Sequence, residues 1–106
     1  MQATGIGLGR WTFEGPYTNT ASLRETAGVY AILDNRSDGK WYVIDVGESE
    51  QVKSRVEIHD RKPCWTRHRR GTLGVAVLYA PRSSDAQRRI VEREVRSQYS
   101  PPCGTL

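Results

Sequence analysis

The chain is poor in sulfur, with two cysteines and one methionine among 106 residues. Cys64 and Cys103 cannot build the multi-bridge framework of a small secreted scaffold, although one bridge between them stays open. Long apolar runs are missing as well. Nothing approaches the roughly 20 residues a membrane-spanning helix needs, so no membrane partner is expected. The opening MQATGIGLGR holds no apolar stretch of the kind that directs export. With cysteine this sparse, the expectation is a cytoplasmic protein. Internal repeats and linker-like stretches are absent too, which leaves a single domain of ordinary size. A hydrophobic share of 37% beside 26% charged residues excludes a disordered chain.

An acidic excess is also lacking. The formal net charge is +4, and its placement says more than its size. HDRKPCWTRHRRG, residues 59–71, carries Arg61, Lys62, Arg67, Arg69 and Arg70 against Asp60 alone. Outside that segment basic and acidic residues balance. Such concentration is the electrostatic footprint of a polyanion binder, and the plainer alternative is a solvated basic loop.

What the chain does have is a readable order of elements. GVYAILD and KWYVIDVG are β-rich runs separated by the turn signal NRSDG, which predicts a hairpin. A turn centred between Ser37 and Asp38 pairs Ile32 with Val43 and Tyr30 with Asp45. Ser49 then reads as the cap of a helix reaching about Asp60, with Val52 and Val56 inward and Arg55 and His59 stacked four residues apart. TLGVAVLYA reads as a third strand buried on both faces. SSDAQRRIVEREVRSQY reads as a long helix, with Ala86, Ile90, Val91, Val95 and Tyr99 on its apolar arc and Glu92 and Glu94 at or within it. Upstream, residues 1–10 read as a loose terminus, WTFEGPYTNT as an irregular arm anchored by Trp11, Phe13 and Tyr17, and TASLRETAG as a short helix stopped by Gly28. The resulting expectation is an α+β fold: a small three-stranded antiparallel sheet flanked by helices, in the order β-β-α-β-α. Residues 1–25 form an arm packed on a domain of residues 26–106.

GVY at residues 28–30, DVG at 45–47, the Arg55-x-x-x-His59 pair, and EREVRSQYSPPCG beginning at Glu92 form an ordered set. In this order the chain resembles the GIY-YIG nuclease domain over about residues 26–104, in the manner of its small stand-alone bacterial members. The resemblance implies metal-dependent hydrolysis of a nucleic-acid phosphodiester, with DNA ahead of RNA as the target, by a monomer or weak dimer. It implies Mg²⁺ or Mn²⁺ as cofactor, held by Glu92. Tyr30 would serve as general base or as a hydroxyl that orients water, Arg55 would contact the scissile phosphate, and His59 would position water, move a proton or bind phosphate. Arg61, Lys62, Trp65, Arg67, Arg69 and Arg70 would grip the nucleic acid, with the Trp65 indole either stacking on a base or plugging the core.

Two positions depart from the family pattern. Asp45 stands where the second motif has tyrosine, and Gly104 stands where the family has asparagine. Asp45 enters the catalytic set on position alone. A nucleic-acid-binding module with weak or no catalysis is therefore the second expectation. A third is a structural zinc module formed by His59, Cys64, His68 and Cys103, at an irregular spacing for such a site.

Overall fold

A computed structural model of the chain describes residues 5–104. Five strands form one antiparallel sheet, β1 (Ile6–Leu8), β2 (Trp11–Tyr17), β3 (Gly28–Asn35), β4 (Trp41–Ser49) and β5 (Thr72–Tyr79), in the order β1-β2-β5-β3-β4. Three helices accompany them: α1 (Val52–Glu57), α2 (Lys62–His68) and α3 (Asp85–Tyr99). The three-stranded sheet expected from the sequence is thus too small. The two additional strands come from the segment read as a loose terminus and irregular arm, of which residues 1–4 lie outside the described residues. Ile6 pairs with Phe13 and Leu8 with Trp11, and β2 continues onto β5 through Glu14–Val77 and Tyr17–Val75. In β2, Phe13 is buried between exposed Thr12 and Glu14, the alternation of a half-buried strand. β5 lies between β2 and β3, which is why its sequence is apolar on both faces.

The sheet separates two cores. Tyr30, Ile32 and Val77 face Val52, Val56 and Trp65 of α1 and α2, while Val29, Ala31, Leu33 and Ala76 face Phe13, Val46 and Val95. The first face carries the short helices and the second carries α3.

The β3–β4 hairpin forms around the expected turn, with the Arg36 N–H donating to Lys40 O and the Gly39 N–H to Arg36 O. Its register differs from the simple one. Tyr30 pairs with Gly47 and Ile32 with Asp45, and an irregularity after Ile32 then reduces the offset by one residue, setting Leu33 opposite Val43. Ile44 is the extra residue, a β-bulge that no local sequence signal announces. Because the slip at Tyr30 is two residues, Tyr30 and Asp45 keep the same face but sit diagonally instead of directly opposite.

Other segments depart further. Between Ser22 and Gly28 there is no helix; a 3₁₀ turn at Thr20–Ser22 is capped by the Asn19 side chain, and Gly28 opens β3. Ser49 ends β4, and α1 begins only at Val52 and stops at Glu57. His59 therefore lies past the helix, not one turn above Arg55. The basic loop is partly helical: α2 starts at Lys62 with Pro63 in its first turn, a position where the missing N–H costs nothing. In α3 the expected cap holds. Ser84 and Gln87 form a reciprocal capping box. Its apolar arc is narrower than expected, however. Val95 is buried, whereas Ile90 and Tyr99 are exposed, and the helix buries Arg88 and Arg96 instead.

Candidate active site

Three α3 side chains one turn apart, Arg88, Glu92 and Arg96, run along the edge strand β4. Arg88 Nε donates to Glu48 Oε1 at 2.8 Å. Arg96 donates to the Asp45 carboxylate and to Val46 O. Glu92 lies between these two anchors on the helix. Its Oε2 accepts from Arg96 Nε at 3.3 Å, and its side chain is 21% exposed.

Gly47 is the residue opposite Tyr30. A Cβ at position 47 would lie 2.3 Å from Tyr30 Oη and 2.4 Å from Cζ. The missing side chain is the space in which the phenol ring rests. Tyr30 is buried, and its hydroxyl meets His59 Nε2 at 2.7 Å. The other imidazole nitrogen, Nδ1, accepts the backbone N–H of Arg61 at 3.0 Å. Burial first, and then the guanidinium groups of Arg55 and Arg61, push the His59 pKa down to about 4. The ring is consequently neutral at pH 7. With Nδ1 accepting, the proton rests on Nε2 and is donated to the tyrosine oxygen.

Burial pushes the Tyr30 hydroxyl up to about 12, against the opposing charges of Arg55 and Arg61 and with those of Asp45 and Glu92. All four charged groups therefore act on one phenol. Of the four residues expected to gather, Tyr30 and His59 are in direct contact, while the shown side-chain partners of Arg55 and Glu92 are Asp60 and Arg96. Arg55 is 38% exposed at its side chain and donates through Nη2 to Asp60 Oδ1 at 2.9 Å. Such a tyrosine is too weakly acidic to serve as a base near neutral pH, so of its two expected roles only the orienting hydroxyl fits.

Asp45 does not belong to an open catalytic centre. It is fully buried, and its carboxylate accepts from Arg61 Nε at 2.7 Å, Trp65 Nε1 at 2.7 Å, the Val46 N–H at 2.8 Å and the Arg96 guanidinium. A carboxylate this enclosed holds elements together. Trp65 is buried by the same contact, so its indole is the core plug and no platform for a base. Arg61 is largely committed to Asp45. Lys62 donates to Glu57 O at 2.6 Å but remains exposed, as are Arg67, Arg69 and Arg70.

Arg96 was not legible as a site-shaping residue. The available signal was the lone acid inside WYVIDVG, which required a buried cation somewhere. Arg96 also bears on position 104. Gly104 has φ +81°, and a Cβ there would meet Arg96 Nη2 at 2.3 Å. A side chain at 104 would therefore crowd the guanidinium that Asp45 holds. Cys64 and Cys103 are joined in a disulfide, and His59 is far from free to bind zinc because both its nitrogens are engaged.

Comparison of the chain with protein-family models, with curated proteins and with solved structures gives no match in any of the three. No helix among the described residues is long and apolar enough to cross a membrane.

Proposed function

We propose that the protein is a GIY-YIG-type, metal-dependent nuclease acting on a nucleic-acid phosphodiester. What supports this reading is the Tyr30–His59 hydrogen bond, with the charges of Arg55 and Glu92 both acting on the same hydroxyl. His59 holds the tyrosine oxygen through Nε2–H, which leaves the phenolic proton to be directed at a water or a phosphate oxygen. Arg55 has donors beyond the one given to Asp60 and can turn them to the non-bridging oxygens. Glu92 is the residue that would hold Mg²⁺ or Mn²⁺. A lone carboxylate fits such an ion only if water and phosphate oxygens complete its shell, so binding would accompany the substrate. When bound, the ion stabilises charge developing on the phosphate. Exposed Lys62, Arg67, Arg69 and Arg70 supply the surface for the remaining backbone.

A second reading, binding without cutting, is favoured by the burial of Tyr30 and the complete enclosure of Asp45. One assay separates the two. Supercoiled DNA, single-stranded DNA and RNA are incubated with Mg²⁺ or Mn²⁺ and with wild type, Glu92→Gln or Arg55→Ala. Nicking by wild type alone supports the nuclease. Unchanged nicking by either variant removes that residue from the site. Absence of cleavage by all forms, with binding whose salt slope falls by about 0.9 for each contacting arginine removed from 67, 69 and 70, supports the binding module.

A further inference from the structure

Cys64 and His68 are one turn apart on α2 and project from the same side of it. Cys103 reaches them from the other end of the sequence, 39 residues beyond Cys64. Its place does not depend on the bridge. The Cys103 N–H donates to Ile44 O at 3.0 Å, and Cys103 O accepts from Arg96 Nη1 at 2.8 Å. β4 and α3 therefore hold this backbone from both directions. The two sulfurs and an imidazole nitrogen of His68 all lie within 4.8 Å of one another. Two thiolates on one tetrahedral zinc stand roughly 3.8 Å apart, given Zn–S bonds of about 2.3 Å, so small side-chain rotations from this cluster suffice.

We propose that, once the Cys64–Cys103 bond is reduced, Cys64, Cys103 and His68 bind a zinc ion. His59, the other histidine in the sequence pattern, is excluded because Tyr30 and the Arg61 N–H occupy both its nitrogens. Reduction takes two electrons and two protons from a dithiol, which itself becomes a disulfide, and yields two thiols. Zinc then displaces the two thiol protons and accepts the neutral imidazole nitrogen, giving an uncharged two-sulfur, one-nitrogen centre with solvent in the fourth position. Disulfide and metal are thus alternative cross-links between the same two elements, α2 and the chain segment after α3. The set is soft and shares no ligand with the hard-oxygen position at Glu92, so it stands independently of the nuclease reading.

The full chain is reduced with a water-soluble phosphine, freed of it under inert gas, and titrated with Co²⁺ and then Zn²⁺. Expected are a thiolate-to-cobalt charge-transfer band and intense tetrahedral visible bands that saturate at one cobalt per chain and bleach with zinc. Unreduced protein gives neither. Cys64→Ser keeps one sulfur and loses about half of the charge-transfer intensity. His68→Ala, which keeps both cysteines and hence the native bridge before reduction, binds at least about tenfold more weakly. The proposal is overturned by reduced wild type that shows no tetrahedral cobalt spectrum, by His68→Ala binding as tightly as wild type, or by reduced protein that unfolds and does not refold with zinc.

Discussion

Replacing Asp45 by asparagine keeps the shape of the side chain and removes only its charge. Two guanidinium groups, one indole N–H and one backbone N–H converge on this fully buried carboxylate. Asparagine can still accept from one or two of them, but its amide nitrogen must then face a cation. Arg61 keeps access to water and can rehydrate, at a cost of about 1 kcal/mol. Arg96 cannot, because its side chain is 3% exposed. An uncompensated buried cation dominates the loss, for a total of about 3–5 kcal/mol. Against a total stability of about 5–15 kcal/mol, that is a large fraction. With a urea slope of about 2 kcal/mol/M, the unfolding midpoint falls by roughly 2 M. Urea melts of wild type, Asp45→Asn and Asp45→Asn/Arg96→Met test this, the last recovering part of the loss because the stranded charge is gone. A loss below about 1 kcal/mol for the single variant refutes the structural role. So does a variant that is folded, as stable as wild type and unable to cleave, since Asp45 would then be acting in the chemistry.

Two further outcomes follow from the Tyr30–His59 pair. His59 has a folded pKa near 4 against an ordinary value of 6.5, so the unfolded chain binds more protons between those pH values. The contribution is full above about pH 6.5 and is lost as pH falls through about 4, amounting to on the order of 2 kcal/mol between pH 7 and pH 5. Denaturant melts across this range should show that slope in wild type and a flatter one in His59→Gln; equal slopes would place the titration elsewhere. Gly47→Ala forces a Cβ into the Tyr30 ring and should destabilise by about 1–3 kcal/mol. Adding Tyr30→Phe should recover little, because ring carbon Cζ lies as close as the hydroxyl, and a full rescue in thermal melts would contradict this packing.

Much of the frame was legible because its signals are local. The two β-branched runs around NRSDG, the apolar run of β5 and the Ser84–Gln87 cap each describe their own element. The N-terminal hairpin was not, since its strand is interrupted by Gly15 and Pro16 and its stability comes from pairing with β5, more than fifty residues away. The bulge at Ile44 has the same character. It adds one residue to one strand, and only the partner strand reveals it. At the candidate site, residue types and order were readable, but the environment that decides their chemistry was not. Asp45 reads as a reactive acid until Arg61, Trp65 and Arg96 enclose it. Arg88 and Arg96 read as solvated helix cations until β4 supplies Glu48 and Asp45. His59 reads as a helix-face residue until α1 is seen to end two positions earlier.

The treatment of strand β4 bears on solubility. Its outer rim would otherwise offer a row of free carbonyls to any passing extended chain, but those of Ile44 and Val46 are already taken by the Cys103 amide and the Arg96 side chain. The opposite rim is only three residues long. Neither border invites a neighbouring sheet to add on, so the five strands are guarded against the growth by lateral strand addition that begins fibrous aggregation.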